Sequence, residues 1–291
     1  MARTVHDAFN EYRTWLQVSG TELNNVNSRP ASIETYLGKP FNDTSDMPLL
    51  RTELIGSADR GTLIHPVDDV DVFAIFDPNK GGAWNKYASN SKTFIYRVRD
   101  ALAGYQVEIV GTRGQVVRLF YKSGPHVEIA PVFKLQSGGF YLPNGSGGWL
   151  TTDPPRQSEW INKRDQELGG HLKSLIRVAK AWNRAHSAHF KSFHLEVMVA
   201  TALASLDGNS RTALQILFSN ARYFIDVLDP AGHGGNLSSY MTPARRHAAL
   251  AALGTAAERA RRAVEAENQN DPAEAIRLWG VNLGAGFPTY G

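Results

Sequence analysis

The chain has 291 residues, of which 42% are hydrophobic and 20% charged, enough apolar content for a sizeable core and too little charge for a disordered polyelectrolyte. Its 31 Lys and Arg against 28 Asp and Glu leave a net charge of +3, too mild for a nucleic-acid coat but suited to a site that gathers anionic nucleotides. The absence of cysteine excludes a disulfide framework and a thiolate zinc site; no apolar run has the length of a membrane span and the first residues lack a signal-peptide core, so a cytoplasmic protein with no membrane partner is expected.

Val5, Phe9, Trp15 and Leu16 are spaced as on one face of a helix over residues 5–17. A second helix is expected over 29–37, with Pro30 in its first turn. Residues 52–55 then lead into a Gly56-Ser57 turn, a polar loop and a strand whose Val70, Val72, Ala74 and Ile75 supply its apolar content. Side chains alternate across a strand, so Asp69 and Asp71 share a face about 7 Å apart, while Asp68 points to the other and stays outside the pair. Neighbouring carboxylates repel unless a cation sits between them, and Mg²⁺ takes one or two carboxylates together with substrate phosphates. A Gly-Ser turn lets backbone N–H groups approach such a phosphate.

A loop at 77–82 precedes a helix over 91–102 with Phe94, Ile95 and Val98 on one face. Strands are expected at 105–110 and 116–121 with a turn at 111–114, and Val127, Ile129 and Val132 mark a further strand carrying Glu128. Residues 138–153 read as a long Gly-rich loop. From about residue 164 the pattern is helical: Leu172, Leu175, Ile176, Ala179 and Trp182 line one face, 193–206 is almost wholly apolar and hence central, 229–235 is a loop, and Ala-rich helices cover 243–267 and 272–279. His186 and His189 have no acidic partner at ligand spacing, and Arg259, Arg261 and Arg262 fit a solvated helix face. The expected class is α+β: a mixed catalytic half, residues 1–163, and a helical half, residues 164–291, with a cleft between.

The Gly56-Ser57 turn, its spacer, the Asp69-x-Asp71 strand and Glu128 on a second strand together resemble the signature of the DNA polymerase β-type nucleotidyltransferases. Further on, LIRVAKAWNR, KSFHLEV, DPAGHGGNL and LWGVNLGAGFP resemble the cGAS/DncV-like nucleotidyltransferases of bacterial CBASS antiphage systems and their relatives, the oligoadenylate synthases; the likeness runs from about residue 52 to 288. It implies a polymerase β-like core joined to a helical domain, with Asp69, Asp71 and Glu128 as catalytic metal ligands for Mg²⁺ or Mn²⁺. Gly56, Ser57, Lys180 and Ser192 would hold a donor triphosphate and Phe193 would stack on its base, although by pattern alone Lys180 reads as a solvated helix lysine and Phe193 as a core aromatic. The implied activity is synthesis of a cyclic di- or trinucleotide from NTPs, read by a downstream effector. A same-fold transferase that makes linear oligonucleotides or modifies RNA or protein, and an inactive nucleotide-binding scaffold, are the alternatives. The third acid is Glu where many of these enzymes have Asp. Some members are conjugated through a C-terminal residue by a partner with E1 and E2 activities, which Gly291 suits; a nucleic-acid activator is left open.

Overall fold

A computed structural model describes residues 1–206 and 210–291. The chain opens with α1 (Val5–Trp15), capped by the Thr4 hydroxyl, and α2 (Gly20–Leu37). The second helix starts well before the expected residue 29, because Ser19 and Glu22 form a reciprocal capping box; Pro30 therefore falls inside the helix and not in its first turn. Then come β1 (Leu49–Leu54), the single-turn helix α3 (Gly56–Asp59) and β2 (Asp69–Phe76). The loop after β2 contains a 3₁₀ turn (Lys80–Gly82) and α4 (Ala83–Tyr87), followed by α5 (Ser91–Ala101).

β3 (Ile109–Arg113) and β4 (Val116–Phe120) form a hairpin, but shifted from expectation. Gly111 pairs with Arg118 inside the ladder, and the reversal falls at Gly114, whose φ of +59° a tight hairpin requires. Tyr105 and Val107, assigned to the strand by their alternation, pack against the core from a turn instead. β5 (His126–Lys134) runs into a second hairpin, β6 (Phe140–Pro143) and β7 (Trp149–Thr152), where a long Gly-rich loop was expected. Its tip is organised by Asn144, whose Oδ1 accepts from the backbone of Ser146 at 2.8 Å and of Gly148 at 3.0 Å. Its aromatics have partners: Tyr141 stacks on Trp84 at 4.4 Å, and Trp149 lies 5.2 Å from the same ring.

The helical part begins at Pro154, earlier than residue 164, because Asp153 caps α6 (Pro154–Glu167). It continues through α7 (Leu172–Ala185), α8 (Ser192–Ala202), α9 (Ser210–Asn220), a 3₁₀ turn (Ala221–Tyr223), α10 (Pro243–Asn268) and α11 (Pro272–Leu283). α8 stops at Ala202, short of the expected residue 206. No described helix is long and apolar enough to cross a membrane.

The sheet has the order β1-β2-β5-β4-β3, with β6 and β7 continuing from the far end of β5. β2 and β5 pair in parallel along their whole length. Alternation divides their side chains: Val70, Val72, Ala74 and Phe76 of β2 join Val127, Ile129 and Phe133 of β5 in a core with α2 and α5. On the opposite face Phe73 and Ile75 meet Ala130 and Val132 in a smaller cluster, and Asp69, Asp71 and Glu128 continue that face toward the strand starts. A third cluster unites α6 to α11 with α1, whose Phe9 packs edge-on against Trp279 at 5.1 Å while Tyr12 donates its hydroxyl to the Leu283 carbonyl.

Candidate active site

The parallel register sets Asp71 beside Glu128 and Asp69 beside His126. Burial raises the Asp71 carboxyl to about 7, and the charges of Asp69 and Glu128 push it the same way. Neither Asp69 nor Asp71 has an ion-pair partner among the described residues. Glu128 does: its Oε1 lies 2.7 Å from Arg118 Nε, in a contact not aligned for a hydrogen bond. In this arrangement no group of three His, Cys, Asp or Glu side chains among the described residues is placed to hold a metal ion. The donor set nonetheless fits a hard divalent cation: two unpaired carboxylates on one strand and a third on its neighbour, all oxygen ligands, crowded enough to raise one proton affinity. Asp68, outside the set as expected, pairs with Arg184 at 3.0 Å.

Gly56 holds φ at +70°, and a Cβ there would overlap the Asp71 carboxylate, so the turn and the acid pack directly on one another. Gly56→Ala is expected to cost about 1–3 kcal/mol in backbone strain alone and to displace Asp71. Thermal unfolding and turnover should fall together, and an unchanged melting temperature would refute this packing.

Behind Ser57 lies a network that sequence reasoning missed. Glu196, fully buried on α8, accepts from Arg60 Nε at 2.6 Å, Lys180 Nζ at 2.9 Å, Thr62 Oγ1 at 3.0 Å and Ser192 Oγ at 3.2 Å. Burial alone would raise its pKa; the Lys180 and Arg60 charges overcome that and hold it at about 2. Two cations against one carboxylate leave the network net positive. Lys180 is thus not a solvated helix lysine: its ammonium is enclosed, with its pKa lowered by burial against the pull of Glu196, and it also donates to the Thr62 carbonyl at 2.9 Å. Phe193 is half-buried, its ring covered by the Arg60 guanidinium at 4.7 Å. The available signal was Glu196 itself, a lone carboxylate among Leu195, Val197, Met198, Val199 and Ala200, which must be paired to be buried.

A cavity of about 460 Å³ brings together Gly56, Ser57, Asp69, Asp71, Glu128, Ser192 and Phe193. Lys180 opens onto an adjoining space of about 360 Å³ that shares Ser57, Asp69 and Ser192. The eight residues that the sequence assigned to catalysis, metal or nucleotide therefore border one cleft, between the sheet face and the N-terminal end of α8. His186 is engaged elsewhere, with Nε2 2.8 Å from the Asn282 carbonyl oxygen, and Arg261 is paired with Glu258 and Glu265 on the surface of α10.

Acids on adjacent parallel strands, a Gly-Ser turn packed against them and a lysine-bearing helix across the cleft define a nucleotidyltransferase of the polymerase β type. The chain belongs to the Second Messenger Oligonucleotide or Dinucleotide Synthetase (SMODS) domain family, whose pattern matches residues 3–165. It is 24% identical to a cyclic AMP-AMP-AMP synthase of an Acinetobacter species, over 98% of this chain and 86% of that protein. In fold it is similar to CdnC of E. coli MS115-1 solved with ATP (TM-score 0.77, 20% identity, 97% of this chain and 98% of that one). It is likewise similar to the Vibrio cholerae cyclic AMP-GMP synthase DncV bound to a linear intermediate (TM-score 0.79, 14% identity, 99% of this chain and 98% of that one).

Proposed function

We propose that this protein links ribonucleoside triphosphates into a cyclic di- or trinucleotide second messenger for antiphage defence. The observation that carries the reading is the meeting of Asp69, Asp71 and Glu128 with the Gly56-Ser57 turn in one cavity, backed by a net positive network. Ser57 at the start of α3, with Ser192 and Lys180 from the opposite wall, orients the triphosphate, and the surplus positive charge of Arg60 and Lys180 favours the leaving pyrophosphate. Divalent cations, Mg²⁺ or Mn²⁺, held by Asp69, Asp71 and Glu128, would supply the charge that activates a ribose hydroxyl and neutralises pyrophosphate. For Glu128 to join them, its contact with Arg118 must yield. The protein's own part is positioning: there is little covalent work in phosphoryl transfer. Phe193 offers a ring to the donor base. Ring closure requires a linear intermediate to return its triphosphate end to the same site.

In this proposal residues 1–163 form the nucleotidyltransferase core and 164–291 the helical domain, a boundary that falls within α6, with α1 packed on the helical domain. A protein partner is part of the reading; the CdnC of E. coli MS115-1 has been solved with a HORMA protein. Conjugation at Gly291 by an E1/E2-like partner would first have to peel the last residues from the N-terminus, where Ala2 donates to the Thr289 carbonyl at 2.9 Å.

The test is incubation of the purified protein with all four NTPs and Mg²⁺ or Mn²⁺, followed by mass spectrometry. A product that resists phosphatase and yields to a phosphodiesterase is expected, since a ring has no terminal phosphate. A product keeping a 5′-triphosphate at every time point would place the protein among linear synthases.

A further inference from the structure

The stretch DPAGHGGNL is not absorbed by the chemistry described so far. It forms a loop wrapped around Asp229, whose side chain is buried at 5% exposure. The carboxylate accepts from the backbone of Ala231 at 3.0 Å and of Gly234 at 2.8 Å, and a Cβ at Gly234 would crowd it. Its remaining contact reaches α6: the Gln157 amide nitrogen donates to both Asp229 oxygens, at 3.3 and 3.4 Å. Gln157 also lines the nucleotide cavity, whose wall includes the apolar Leu142, Pro154 and Phe193.

This pairing fixes which end of the amide faces the cavity. A carboxylate only accepts, so the NH₂ group must turn to Asp229, and the oxygen, angled away from it on the trigonal carbon, is the end left for the cavity. Among the described residues nothing donates to that oxygen, and it is not enclosed. α6 supplies none of the groups assigned to phosphate or cation, and the apolar part of the cavity wall offers surfaces on which a base can rest.

Resting on the nucleotidyltransferase reading of the cleft, we infer that Gln157, oriented by Asp229, is a specificity-determining acceptor that selects nucleobases presenting an exocyclic amine. A base lacking the amine leaves the oxygen without its donor while the amide cannot rotate to offer N–H instead. Asp229 is a positioning residue in this scheme.

The test measures nucleotide affinity by calorimetry, with Ca²⁺ present to hold back turnover, for two pairs differing only by an amine: ATP against purine riboside triphosphate, and GTP against inosine triphosphate. The wild-type protein is expected to favour the amine by about tenfold in at least one pair. Gln157→Leu should bring that pair to within about twofold by weakening the amine-bearing member alone. Asp229→Asn, which frees the amide to rotate, should narrow the gap in proteins whose melting temperature shows them folded. Equal affinities within both wild-type pairs, or a gap that survives in Gln157→Leu, would overturn the inference and leave the transferase reading standing. So would a loss that falls on 2′-deoxy-ATP instead, since the oxygen would then be taking a ribose hydroxyl. Failure of the wild-type protein to bind any of these triphosphates would overturn the reading of the cleft itself, and this inference with it.

Discussion

Replacing Asp69 and Asp71 together by asparagine is expected to lower nucleotide joining by on the order of 10³-fold or more, the scale on which charge-stabilising groups act. The same change should leave the metal-free protein at least as heat-stable as the parent. Both acids lack ion-pair partners among the described residues, and Asp71 is crowded by Asp69 and Glu128, so neutral amides of the same shape remove a repulsion without opening a cavity. The two measurements separate a functional role from a structural one. Retained turnover would remove these acids from the chemistry; a large drop in melting temperature would mean that their charges hold the sheet together.

Glu196→Gln is expected to act in the opposite sense, on the fold first. It removes the carboxylate that pairs directly with two buried cations, and breaking such a pair costs about 3–5 kcal/mol. Urea unfolding should show that loss at neutral pH, with activity falling as Lys180 and Ser192 lose their common anchor. The pH dependence has a definite sign. Because the folded chain holds this carboxyl at about 2, below its ordinary 4.5, its contribution is full above about 4.5 and disappears as the pH falls through about 2. The difference in stability between parent and variant should therefore shrink over that acid window. A constant difference would mean that the buried charge is not what Glu196 contributes.

Much of this site was legible in the chain because alternation along a single strand needs no tertiary information. Asp69 and Asp71 interleaved with Val70 and Val72 could face only one way relative to the core, and Glu128 sits in a second segment of the same pattern. What escaped was non-local. Nothing near Lys180 in sequence indicates that its ammonium is enclosed by Glu196 and Thr62, because that network joins a loop, α7 and α8. The β6–β7 hairpin hid for a related reason: its glycines suggested an irregular loop, while its aromatics find their partner in Trp84, far back along the chain. The start of α6 was written plainly as Asp153-Pro154, a cap followed by a first-turn proline, but its position after a Gly-rich run drew it into the supposed loop.

The seating of α1 bears on how the molecule comes to be. Tyr12 and Leu283 lie 271 residues apart in the chain, yet share a hydrogen bond in one packed interior. A ribosome delivers α1 long before α11, so until the helical half emerges Val5, Phe9 and Tyr12 have no surface on which to settle. Pairing across so great a separation is slow, and partly made chains expose an apolar stripe that chaperones can grasp. Docking of α1 onto α11 completes the packed interior behind the helices that carry Lys180 and Ser192. A chain halted before α7 and α8 holds the acids without the wall that faces them, so the complete cleft waits on those two helices.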